Sequence, residues 1–158
     1  MVLLVVAFKS CVSSRWGESY STALIDATGS SDRSLEHIRS LLEGGVDPNG
    51  RDSLGGTALS AAIAIGSAEK VRLLVEFGAD PNLKVFEFSP LVFAGKPKVH
   101  TSEADDLWVI DVLLSAGADP CVTVSGGEWD RLRASEIARR SGRSAAAAAL
   151  AKAEERCD

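Results

Sequence analysis

Three stretches of the chain carry apolar residues at spacings of three and four: SLEHIRSLLEGG from Ser34, SAEKVRLLVEFG from Ser67 and DLWVIDVLLSAG from Asp106. Superimposed on their closing glycines (Gly45, Gly78 and Gly117), their apolar positions fall into columns. Ile38, Val71 and Ile110 form one column, Leu41, Leu74 and Leu113 a second, and Leu42, Val75 and Leu114 a third. Such spacing gathers the residues on one helix face, so each stretch predicts an amphipathic helix. Ser34, Ser67 and Asp106 stand where a side-chain oxygen would cap the free N–H groups of the first turn. The closing glycines stand where the chain must turn left-handed, and a proline three residues on stops the helix. His37, Lys70 and Val109 share a further column, expected on the variable outer side of the helices.

A shorter helix is expected before each of these. Thr22-Ala23-Leu24, Thr57-Ala58-Leu59 and Ser89-Pro90-Leu91 read as the openings, since Thr and Ser cap and Pro is tolerated in a first turn. The alanine-rich run TALSAAIAI from Thr57 would let two helices lie close. The unit is thus a turn, a short helix, a reversal and a longer helix ending in glycine. Its period is nearly fixed: Gly45 and Gly78 lie 33 residues apart, and Gly78 and Gly117 lie 39 apart.

With GVDPN at Gly45, GADPN at Gly78 and GADP at Gly117, and above all the stretch from Asn49 to Asn82, the chain resembles the ankyrin-repeat family. Asp52 and Gly55 match the finger turn, Thr57 and Leu59 the start of the first helix, and Gly66 the reversal. The resemblance covers roughly residues 19 to 156. It implies an all-α solenoid of three recognisable repeats plus a degenerate C-terminal capping repeat, built from RASEIARRSG and the alanine-rich Ser144 to Arg156. The expected domain spans residues 19–158, with residues 1–18 as an apolar segment folded over the end of the stack. The sequence departs from the family pattern in three ways. Ile25, Ser60 and Val92 replace the usual histidine. The third finger is one residue short. About seven residues are gained between the helices of the third unit, around Lys96 to Asp105.

Composition narrows the function. Across 158 residues the formal net charge is −5 and the pI near 5.1, which argues against non-specific nucleic-acid binding. No apolar run is long enough to span a bilayer. Met1 to Phe8 is apolar, but its first positive charge, Lys9, follows the run, and no A-x-A site appears. Cys11, Cys121 and Cys157 are odd in number and far apart, so separate thiols in a reducing compartment are expected, without a zinc site or a disulfide framework. His37 reads as a solvated helix residue. His100 falls in the insertion, and no spacing ties it to Cys121 as a nucleophile pair. Neither a phosphate-cradling nor a dinucleotide motif occurs. Glu103, Asp105 and Asp106 read as acids favoured by a helix N-terminus.

The family resemblance implies a surface that binds another protein through its fingers and first helices. Apolar residues stand where the fingers should be polar. Leu83, Phe86, Phe88 and Trp129 are therefore candidate anchors, with Arg51, Lys84 and Arg131 as a polar rim. Trp108, beside the insertion, is an anchor or a lock on the insertion. The arginines of the fourth unit suggest an acidic partner. The expectation is a monomeric, cytoplasmic, non-catalytic binding module without cofactor, metal, nucleic acid or membrane. The alternatives are an exported or membrane-associated repeat protein using residues 1–8 as part of a signal, and a cysteine-dependent hydrolase.

Overall fold

A computed structural model describes residues 17–30, 34–96, 98 and 101–157. Met1 to Phe8, Cys11 and His100, and with them the expectations for the apolar segment and for a Cys–His pair, lie outside the described residues. Eight α-helices are present among the described residues: α1 (Gly17–Gly29), α2 (Leu35–Glu43), α3 (Ala58–Ala64), α4 (Ala68–Glu76), α5 (Pro90–Gly95), α6 (Glu103–Ser115), α7 (Ala134–Arg140) and α8 (Ser144–Glu154). They pair as α1–α2, α3–α4, α5–α6 and α7–α8. The odd-numbered helices stack in one layer and the even-numbered in another, each unit touching its neighbours. This is the one-dimensional solenoid expected of four repeats.

The columns read from the sequence are the core. Ile38, Val71, Ile110, Leu74 and Leu113 are fully buried, as are Leu24, Leu59, Leu91, Ile137 and Leu150. In α3 and α5, Ala58, Ala62 and Ala94 are buried, because only small side chains let the first helices stack closely. Gly95 carries this to its limit: a Cβ there would sit 3.2 Å from both the Ala134 carbonyl oxygen and the Ala138 Cβ of the next unit.

The caps follow their side chains. Ser34, Ser67 and Ser89 accept from the backbone N–H three residues on, and Thr57 forms a reciprocal capping box with Ser60. Gly45, Gly78 and Gly117 lie at φ 88, 93 and 88, where a side chain would be strained. Between units the turns are bracketed by asparagine. Asn49 Nδ2 donates to the Gly78 carbonyl and its Oδ1 accepts from Asp80 N–H (2.9 and 2.8 Å). Asn82 does the same to Gly117 and Asp119 (3.1 and 2.7 Å).

Several expectations are corrected. Thr22 does not open α1, which begins at Gly17. Asp106 is not an N-cap: α6 starts a turn earlier behind Ser102, in a capping box with Asp105, and the Ser102 hydroxyl and N–H hold the Asp105 carboxyl below its ordinary pKa. The His37 column does not face outward throughout. Val109 is fully buried, and the buried Lys70 reaches the preceding unit, donating from Nζ to the Thr28 and Ser30 carbonyls. Burial pushes the Lys70 pKa down. Cys121 and Cys157 are not separate thiols. They form a disulfide with Cα atoms 5.4 Å apart, invisible in the sequence because a 36-residue separation carries no signal.

The insertion is fixed by charge. Asp106 is fully buried, its Oδ1 accepting from Lys98 Nζ (2.5 Å) and Thr101 Oγ1 (3.3 Å), while Oδ2 lies 2.9 Å from Arg143 Nη1 of the fourth unit. Arg143 also donates to the Lys98 and Thr101 carbonyls, and Glu103 accepts from Ala145 N–H at the start of α8. The acids of the α6 N-terminus thus have separate tasks. All three stand in the first turn of α6 as expected, and Asp105 alone also closes the capping box. Burial lowers the Lys98 pKa, against the opposing pull of Asp106.

Candidate functional site

The fingers project from the turns between units. In the second, Arg51 and Thr57 face each other in an isolated antiparallel bridge beside which Asp52 N–H donates to the Gly56 carbonyl (3.0 Å), and Asp52 Oδ1 accepts from Leu54 and Gly56 N–H (2.9 and 2.8 Å), closing the loop. Asp52 is therefore spent on its own turn. Arg51 donates to the Gly55 carbonyl (2.9 Å) and across to the Lys84 carbonyl of the third finger (2.7 Å). It joins two adjacent fingers while remaining exposed.

The third finger is a tight hairpin in which Val85 and Phe88 exchange backbone hydrogen bonds of 3.0 and 3.2 Å. Phe86 and Glu87 are the two turn residues, and the turn, not strand alternation, separates the two aromatics. Val85 is buried, and Phe88 is partly buried on the core, edge-on to Phe93 with Lys96 Nζ 3.8 Å from its ring centroid. Phe86 points the other way and is 72% exposed. Its φ is 54, a conformation that costs a bulky side chain about 1–2 kcal/mol. Leu83 and Lys84 are partly buried.

The fourth finger is closed by Val124 N–H to the Leu132 carbonyl and Arg131 N–H to the Val124 carbonyl, around a 3-10 turn over Gly127–Trp129. Trp129 is partly buried against the core rather than displayed. Arg131, at φ 61, extends into solvent with Asp130 3.6 Å away. Phe86 and Arg131 are the two non-glycine residues with positive φ among the described residues. Trp108 lies on α6 rather than on a finger and is 63% exposed, so it does not lock the insertion.

The structure therefore joins Arg51 to the third finger and divides the aromatics into a displayed Phe86 and the seated Phe88 and Trp129. Sequence reasoning missed Leu54, at the tip of the second finger and 78% exposed. The signal was the one used for the third finger, an apolar residue inside a polar turn. Among the described residues no cluster of His, Cys, Asp and Glu could hold a metal ion. Cys121 offers no free thiol for nucleophilic chemistry, being bonded to Cys157.

A family model described as ankyrin repeats in three copies matches residues 24–124. Ankyrin repeat domain-containing protein 63 of Homo sapiens is 32% identical over 146 residues, which cover 78% of this chain and 38% of that protein. Inactive serine/threonine-protein kinase TEX14 of Bos taurus is 34% identical over 83 residues, 52% of this chain and 5% of its own. Ankyrin repeat, SAM and basic leucine zipper domain-containing protein 1 of Homo sapiens is 33% identical over 85 residues, 54% of this chain and 18% of its own. The chain thus spans well under half the length of these curated relatives. Finger, helix pair and bracketed turn recur in register through the segment the family model matches, and the chain belongs to the ankyrin-repeat family.

Proposed function

We propose that this chain is a non-catalytic protein-binding module whose contact surface is formed by the second to fourth fingers. One observation carries the reading: Leu54 and Phe86 stand exposed at the tips of two successive fingers tied together by Arg51, and Phe86 is held there in a strained conformation. Strain unrewarded by packing within the chain is characteristic of sites shaped for contact with something else. Phe86 and Leu54 are the anchors. Leu83, Phe88 and Trp129 seat the fingers that carry them. Arg51, Lys84 and Arg131 form a basic rim for a partner that combines an apolar side chain with acidic flanks. Binding needs no cofactor, and a monomer in the cytoplasm suffices for it. Alanine at Leu54 and Phe86 is expected to weaken partner capture at least tenfold while leaving the circular dichroism spectrum and urea midpoint unchanged; retained capture would move the site off these fingers.

A second reading, an exported repeat protein, is favoured by the Cys121–Cys157 disulfide, since such bonds persist mainly in oxidising compartments. N-terminal sequencing of the protein from its native source decides: processing after the apolar segment supports export, and an intact Met1 or Val2 opposes it.

A further inference from the structure

The turns between units are built alike until the third. Asp47, Asp80 and Asp119 each accept from the N–H two residues on, at 2.9, 2.8 and 2.8 Å, so the local backbone is the same in all three. The residue whose N–H is held differs. In the first two turns it is Asn49 and Asn82, whose amides reach across to the turn of the following unit. In the third it is Cys121, with no amide to offer. Its sulfur instead meets Cys157, which follows the end of α8 in the register that Ala79 occupies after α4. A covalent bond stands where the hydrogen-bonded bracket would be.

We propose that Cys121 and Cys157 form a redox-controlled joint between the third and fourth units. Oxidised, the pair ties the end of α8 to the third turn. Reduced, that junction has neither crosslink nor amide bracket, and the segment that follows α8, Glu155 to Cys157, separates from it. The two sides meet across a hollow of about 520 Å³, lined by Leu114, Ala118 and Pro120 of the third unit and Ala149 and Ala153 of α8. The reductant is a dithiol. Its thiolate attacks Cys157 Sγ, forming a mixed disulfide and expelling Cys121 as a thiolate, which takes up a proton. The second thiol of the reductant then displaces Cys157 as a thiolate, which is protonated, and the reductant leaves as a cyclic disulfide. Two electrons and two protons pass from the dithiol to the pair. Lys152 and Arg156 line the same hollow as Cys121 and favour the departing thiolate.

Opening is confined to this edge. Ser135 N–H and Oγ both donate to the buried Glu154 carboxylate, and Asp106 with Arg143 and Glu103 with Ala145 hold the start of α8. The test uses the full chain carrying Cys11→Ser, leaving one possible pair. After equilibration with glutathione disulfide, the folded protein is expected to contain no thiol reactive to an aromatic disulfide reagent. On reduction with dithiothreitol, the amides of Cys121, Glu155 and Cys157 are expected to exchange with solvent about tenfold faster or more, while those of Leu74 and Leu113 are unchanged. Cys121→Asn with Cys157→Ala, in the same background, restores a bracket residue; its exchange is expected to be indifferent to dithiothreitol and slower than in the reduced protein. Two reactive thiols after equilibration, or equal exchange in the oxidised and reduced proteins, would overturn the proposal.

Discussion

Replacing Asp106 with alanine is expected to cost about 3–5 kcal/mol, because it leaves two buried cations without their anion. Asp106 is fully enclosed, and the side chains of Lys98 and Arg143 are 9% and 14% exposed, so water cannot easily replace the lost carboxylate. The loss is structural as well as electrostatic. Lys98 belongs to the insertion, Asp106 to α6 and Arg143 to the fourth unit, so three parts of the molecule meet on one carboxylate. Removing all three charges together is a different matter. Asp106→Leu with Lys98→Met and Arg143→Met deletes the desolvation cost of every member, and this triple variant is expected to recover to within about 1 kcal/mol of the parent. Urea unfolding of the parent, single and triple variants checks both statements. A single variant within 1 kcal/mol of the parent would mean that the cluster is solvated in a way its burial does not suggest.

The second large effect is one of opposite signs. Phe86→Gly removes a displayed ring and also relieves the left-handed backbone, a gain of about 1–2 kcal/mol that the extra freedom of glycine in the unfolded chain offsets by about 0.5–1 kcal/mol. The urea midpoint is therefore expected to stay level or rise slightly. A core phenylalanine cut to a small residue would instead cost about 3–5 kcal/mol. Partner capture is expected to fall at least tenfold, since a buried interface anchor is worth 2 kcal/mol or more by truncation. A lowered midpoint would identify Phe86 as part of the fold and remove it from the site.

The repeat itself was legible residue by residue. Ile38, Val71 and Ile110 share a column because they share a buried face, and Ser34, Ser67, Ser89 and Thr57 cap as their chemistry dictates. Legibility failed where the period broke. Counting back from Gly117 placed a cap at Asp106, whereas the insertion had moved the helix start to Ser102, whose capping box with Asp105 was a local signal overridden by the repeat register. It also failed wherever partners are distant in sequence. Asp106 with Arg143, Lys70 with the Thr28 carbonyl, and Cys121 with Cys157 are fixed by stacking, which a single sequence does not display. In the third finger, Phe86 and Phe88 read alike as apolar residues in a turn, and nothing in their spacing tells which of the two the hairpin would turn outward. The backbone at φ 54 settles the direction. Leu54 was overlooked although it obeys the same rule as Phe86.

Whether the displayed fingers bind a protein is decided by affinity capture from native lysate with quantified recovery. The baits are the parent chain, Phe86→Gly, and Trp108→Ala as a control on an exposed aromatic away from the fingers. A protein recovered equally by the parent and Trp108→Ala, and lost with a stably folded Phe86→Gly, is expected. Equal recovery by Phe86→Gly, or no protein enriched by the parent, would contradict binding through the fingers.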